Sequence, residues 1–206
     1  MLIVRPPSMI TRTMPRMTWN FQGEHNKVYL TFDDGPTPKV TPQVLDLLSQ
    51  HKAKATFFCL GRNVDAFPEI YLQILKEGHS VGNHSYSHLK GFRSSVKRYV
   101  EDVNLARTLI DSPLFRPPYG RILPQQVKAV INNYKIIMWD VLSVDYNHKL
   151  SCKRVVRNVT RNVRPGSIIV FHDSDKARKN LYGALPEVLG YLTDKGYQME
   201  AIPMYK

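Results

Sequence analysis

Seven short apolar, β-branched or aromatic runs alternate with helical patterns along most of this chain, and that alternation is its strongest constraint on fold. The runs cover residues 28–32, 55–60, 80–83, 114–116, 134–139, 167–171 and 198–202. Helical periodicity fills 42–51, 67–77, 94–110, 124–132, 151–162 and 184–195. Gly78 and Gly196 stand where helix C-termini favour positive φ, and Pro68, Pro124 and Pro186 suit first-turn positions. Strands separated by helices line up parallel, with the helices covering the sheet. The predicted fold is α/β: a distorted, incomplete (β/α) barrel of about seven parallel strands. Residues 1–24, rich in proline and methionine, read as an N-terminal arm or cap, and residues 25–206 as a single domain.

In such barrels function gathers at the C-terminal strand ends. Asp33 and Asp34 follow the first run, His84 and His88 the third, and Arg116 ends the fourth. Asp145 follows the fifth, and His172 and Asp173 end the sixth. Five strand ends therefore carry ionisable groups to one rim.

The spacing of His84 and His88 predicts two imidazoles on one face of a helical turn. With one carboxylate from Asp33 or Asp34 they form a two-histidine, one-acid set that leaves coordination positions open. Zinc is the expected ion, and Co2+, Fe2+ or Mn2+ would suit the same donors. Such a metal acidifies water and polarises a carbonyl, and the second carboxylate of the pair is then placed to take a proton. Arg116, before Pro117 and Pro118, is a fixed cation suited to orienting that carboxylate, and the Tyr119 backbone N–H could serve an oxyanion. His172 is the candidate general acid for a leaving amine, with Asp145 as the carboxylate that raises its pKa. Asp173 should face away from the rim by strand alternation.

Composition bounds the partners. The net charge of +12 suits anionic surroundings. Its clearest concentration, Arg154, Arg157, Arg161 and Arg164, lies on one stripe of an amphipathic helix and reads as a solvated face. No nucleic-acid-binding motif accompanies it. Cys59 and Cys152 do not make a disulfide framework. No run approaches the roughly 20 apolar residues of a spanning helix. The apolar start is cut short by Arg5, Pro6 and Pro7, unlike a signal peptide, so the default expectation is a cytoplasmic monomer.

Residues 31–37 (TFDDGPT), 84–88 (HSYSH), 116–119 (RPPY), Asp145–Tyr146 and 170–172 (VFH) resemble, in order, the five motifs of the polysaccharide deacetylase family. This is the NodB-homology domain, or carbohydrate esterase family 4. The likeness runs from about Val28 to the C-terminus and implies removal of acetyl groups from glycans, usually N-acetylglucosamine units of peptidoglycan or chitin-like polymers. It implies attack by a metal-activated water, with Asp33 as base, Asp34, His84 and His88 as metal ligands, and Arg116 orienting Asp33. His172 would be the acid tuned by Asp145, and Tyr119, Pro118, Tyr146 and Val170 would contact substrate. It also leaves cell-envelope or secreted locations open. Tyr146 stands where the family commonly has Trp, and Leu142 where it often has an acid, so substrate contacts differ from the common pattern. The alternatives are an O-acetyl esterase using the same site and a glycan-binding member with weak chemistry. A phosphoryl-transfer enzyme with an Asp nucleophile would want an acid at Gly35 and would leave both histidines unexplained.

Overall fold

The computed structural model describes residues 4–204; residues 1–3 of the expected arm and 205–206 of the expected domain lie outside the described residues. Its strands are β1 (Met17–Thr18), β2 (Lys27–Asp33), β3 (Ala55–Cys59), β4 (Ser80–Asn83), β5 (Leu114–Phe115), β6 (Lys135–Ile137), β7 (Val141–Leu142), β8 (Ile168–His172) and β9 (Gln198–Met199). Its helices are α1 (Ser8–Thr13), α2 (Thr41–Gln50), α3 (Gly61–Ala66), α4 (Pro68–Lys76), α5 (Val96–Arg107), α6 (Pro124–Val130), α7 (Cys152–Thr160) and α8 (Arg178–Asp194). The strands run β1-β6-β5-β4-β3-β2-β8-β7, all neighbours parallel, and β9 pairs with the start of β2.

The alternation of β2 explains how one strand serves two layers. Val28, Leu30 and Phe32 join the large apolar cluster containing Val44, Leu48, Leu185 and Leu189 of α2 and α8. Tyr29 turns the other way, into a small cluster with Phe58, Leu114, Ile137 and Ile168 from four other strands. Thr31 and Asp33 share that face with Tyr29, because side chains two apart point the same way. Register carries the pattern into β8, where Tyr29, Thr31 and Asp33 stand opposite Ile168, Val170 and His172. The interior is apolar at its base and polar at its C-terminal end.

The expected barrel is present, with a seam that the sequence reading lacked. β6 lies beside one edge of the sheet and β7 forms the other, yet only Met138, Trp139 and Asp140 separate them. This segment spans the gap: Met138 N–H donates to Thr18 O at 2.7 Å, and Asp140 N–H to Ile168 O at 3.2 Å. Asp140 seals the crossing by accepting from Ile168 N, Ser167 Oγ, Arg164 Nε and Arg5 Nη2. Part of the predicted arginine stripe is thus occupied, since Arg164 pairs with Asp140 at 3.2 Å; Arg154, Arg157 and Arg161 stay exposed. Residues near the N-terminus lie along the seam, with β1 added to β6 and Val4 O accepting from Leu142 N.

Other departures have local causes. β1, β7 and α3 are too short to show periodicity, which is why about seven strands become nine. α8 begins at Arg178, so Pro186 lies inside the helix instead of in its first turn. Pro186 is exposed, so the missing backbone bond faces water, while Leu181, Leu185, Val188 and Leu192 hold the helix by burial. In α7 the buried stripe centres on Val155 and Val159, with Val156, and Val163 beyond the helix end, only half-buried. Cys59 and Cys152 are free. Among the described residues no helix is long and apolar enough to cross a membrane.

Candidate active site

Arg116 is a fully buried polar group of the site and organises its neighbours. It follows β5 with no exposed surface, inside the barrel. Its Nε donates to Ile137 O at 3.1 Å and its Nη2 to Met138 O at 2.9 Å, both at the seam. Nη1 donates to Thr31 Oγ1 at 2.6 Å and to Asp33 Oδ1 at 2.7 Å. The guanidinium carbon lies 4.1 Å from the centre of the Phe58 ring. Phe58 can occupy that place because Gly82 faces it; a Cβ there would come within 2.5 Å of the ring. The guanidinium fork is therefore matched to two carbonyls, a hydroxyl and a carboxylate, a pattern that a lysine ammonium cannot reproduce. Asp33 is buried, and its second oxygen has no hydrogen-bond partner among the described residues.

Asp34 parts from Asp33 by backbone conformation. Its φ is 80°, outside the strand, and Asn63 Nδ2 holds its carbonyl at 2.7 Å. The Asp34 carboxylate then meets His88 Nε2 at 3.2 Å and His84 Nε2 at 3.7 Å. The next turn is clamped by Asp173, which is buried and faces away from the cleft as alternation predicts. Its carboxylate accepts from Gly35 N at 3.0 Å and Thr41 Oγ1 at 2.6 Å. A Cβ on Gly35 would lie 1.9 Å from Asp173 Oδ2, so only glycine admits this clamp.

The two histidines do not sit on a helical turn. Residues 84–90 form a loop in which Ser85 and His88 have φ of 65° and 62°. Asp102 of α5 shapes it by accepting from Tyr86 N, Ser87 N and Ser87 Oγ, while Asn83 Oδ1 accepts from Ser85 N. The imidazoles converge despite the missing helix, with ring centres 5.1 Å apart. Asp34, His88 and Tyr119 line the cleft with positive φ; Ser85, next to His84 in the chain, and Val144, next to Asp145, have positive φ too. Left-handed conformations cost non-glycine residues free energy and concentrate at functional sites.

Asp34, His84 and His88 offer donor atoms within 4.8 Å of one another. They fit a divalent cation on three observations. Asp34 Oδ1 is buried without a hydrogen-bond partner. His84 Nδ1 lies 2.8 Å from Arg116 O, an acceptor only, so Nδ1 carries the proton and the Nε2 lone pair faces Asp34. Burial above all lowers the His84 pKa to about 4, which keeps the ring neutral, as a ligand must be. Burial opposes ionisation of Asp34, but His88, His172 and His84 carry its pKa below the usual carboxylate range.

Across the cleft, Asp145 grips His172 twice, accepting from the backbone N–H and from Nδ1, each at 2.8 Å. Burial disfavours the charged imidazole, yet the Asp145 charge and hydrogen bond, helped by Asp34 and Asp33, raise His172 to about 9. Asp145 itself is fully buried, its carbonyl held by Asn180 Nδ2 at 3.0 Å, and Asn158 Nδ2 holds the carbonyl of Ser143 at 2.9 Å.

The cleft has a volume of about 620 Å³ and brings together Asp33, Asp34, His84, His88 and His172. Tyr119, Tyr146 and Val170 line it, whereas Pro118 is buried and does not. Trp139, Phe92, Lys90, Arg121 and Lys176 line it as well and were not anticipated. No motif marks them; their place depends on how the loops fold over the rim.

A parallel barrel with this rim defines a carbohydrate deacetylase fold and site, and the comparisons agree: the chain belongs to the polysaccharide deacetylase family, whose profile matches residues 22–138. Asp145, Tyr146, Val170 and His172 lie beyond that match, but similarity to relatives extends further. A peptidoglycan-N-acetylglucosamine deacetylase of Bacillus cereus is 37% identical over 198 residues, 91% of this chain and 72% of its own length. A peptidoglycan-N-acetylmuramic acid deacetylase of Bacillus subtilis is 38% identical over 85% of this chain, which spans 38% of that protein. A crystal structure of a peptidoglycan N-acetylglucosamine deacetylase bound to a naphthalenyl N-oxidanyl-benzamide superposes with a TM-score of 0.85 at 32% identity, covering 97% of both chains.

Proposed function

We propose that this enzyme is a metal-dependent N-deacetylase of N-acetylated glycans, with N-acetylglucosamine units of peptidoglycan as the leading substrate. One observation carries the reading. A carboxylate locked to a buried arginine, a converging His–His–Asp donor set and an imidazole of raised pKa face one cleft. The names of the similar proteins support the choice of glycan.

Asp34, His84 and His88 would hold the ion, with zinc first among the candidates. When bound, a divalent cation supplies Lewis acidity to the acetyl carbonyl and to water. Asp33 acts as general base. Arg116 holds its Oδ1, which fixes the carboxylate plane and leaves Oδ2 to take the proton of the attacking water. The Tyr119 backbone N–H is assigned to the developing oxyanion. Val170 and Leu142 give the acetyl methyl an apolar neighbourhood. His172, protonated at neutral pH, donates to the departing sugar nitrogen, and Asp145 keeps that proton on the ring until it is needed. Without that proton the nitrogen would have to leave as an amide anion, a far poorer leaving group than a neutral amine.

The test is acetate release from N-acetylglucosamine oligomers and from peptidoglycan strands, before and after chelation. Chelation is expected to stop release and added zinc to restore it. A His84→Ala variant should lose stoichiometric metal, read by elemental analysis, while keeping its fold by circular dichroism. Full metal content in that variant would refute the ligand set. No release from any N-acetylated glycan by the metal-loaded enzyme would refute the activity.

A further inference from the structure

Residues 60–63, which open α3, tie together the two loops that carry Asp34, His84 and His88. Leu60 N–H donates to Gly35 O at 2.9 Å, and Asn63 Nδ2 to Asp34 O at 2.7 Å. Between them, Gly61 N–H donates to Ser85 O at 3.0 Å and Arg62 N–H to Tyr86 O at 3.2 Å. Each loop has a left-handed residue whose carbonyl this segment holds: Asp34, with φ of 80°, and Ser85, with φ of 65°. Gly61 permits the approach, since a Cβ there would lie 2.6 Å from Tyr86 Cδ2.

The peptide unit joining Asp34 to Gly35 is gripped at both ends. Its oxygen accepts from Asn63 Nδ2, and its N–H donates to Asp173 Oδ1 at 3.0 Å. The unit is planar, so holding both ends fixes its orientation and with it the ψ of Asp34. Asp33, on the other side, is already fixed by pairing with β3 and β8 and by Arg116. With the grip on the oxygen gone, the unit can pivot about its N–H. Asp34 then leaves the costly left-handed region, and its carboxylate turns from the two imidazoles.

Three of the four donors are backbone N–H groups, which any residue but proline supplies. Asn63 Nδ2 is the one that the side chain decides. Asn63 is half-buried and does not line the cleft, so it reaches the site only through Asp34. We infer that Asn63 is a positioning residue that sets the metal affinity of the Asp34, His84 and His88 site, by holding Asp34 in its ligating conformation before the ion arrives. This rests on the metal-dependent reading above and not on the identity of the glycan.

The experiment measures zinc dissociation constants by competition with a chromophoric chelator, and melting in excess chelator, for the full chain and its Asn63→Leu and Asn63→Gln variants. Asn63→Leu keeps a side chain of similar size without the donor, and its affinity for zinc should fall by about 10–100-fold. Asn63→Gln keeps an amide donor on a longer stem and should lie closer to the parent. The metal-free melting temperature of both variants should stay within about 2 °C of the parent, because a half-buried surface position is exchanged. Zinc affinity of Asn63→Leu within about 2-fold of the parent overturns this inference alone. So does a loss of affinity matched by an equal loss of metal-free stability, which would make Asn63 a purely structural residue. Failure of the parent to bind stoichiometric zinc overturns the metal-dependent reading and this inference with it.

Discussion

Arg116→Met is expected to lower the unfolding free energy by about 3–5 kcal/mol, the scale for removing one partner of a buried ion pair. Methionine keeps an apolar stem against Phe58 but strands the Asp33 carboxylate inside the barrel. It also leaves the Ile137 and Met138 carbonyls without their donor at the seam. For a chain of this length the melting temperature should fall by roughly 6–20 °C. The double variant Arg116→Met, Asp33→Asn should recover part of the loss, because no charge is then left unpaired. A change within about 0.5 kcal/mol would show that the barrel does not depend on this plug.

Asp145→Asn should act on catalysis and on its pH profile. With Asp145 in place, His172 titrates at about 9, so the alkaline limb of kcat/KM should lie near that pH. Without that charge, burial is the dominant influence and the limb should move below neutrality, with activity at pH 8 down by roughly 10²–10⁴-fold. The same shift enters stability. The folded pKa lies above the ordinary 6.5, so the stabilisation is complete below about pH 6.5 and is lost as pH rises through about 9. The difference is on the order of 3 kcal/mol, to be read from unfolding in chelator at pH 6 and pH 10 in the parent and Asp145→Asn. An unshifted alkaline limb in the variant would separate Asp145 from the proton donor.

Much of the site could be read from the chain because each motif is local. Asp33, Asp34, His84, His88, Arg116 and His172 sit within a few residues of a strand end, and parallel topology brings strand ends together. The reason for the unlike aims of Asp33 and Asp34 could not be read: it lies in a left-handed residue held by Asn63, not in strand alternation. The loop of His84 and His88 was missed for a similar cause, since Asp102 shapes it from a helix distant in sequence. The seam escaped because the expected run 134–139 stops short of β7, whose two residues show no period and are revealed only by pairing with β8. The rim cations are single residues on loops, without periodicity or spacing to mark them.

Asp33 is proposed to move the proton at a centre built by Asp34, His84 and His88. The most direct test is the single-turnover rate of acetate release by Asp33→Asn at measured, full metal occupancy. The expected result is unchanged metal and glycan binding with release slowed by roughly 10²–10⁴-fold. Release at the parental rate would contradict it.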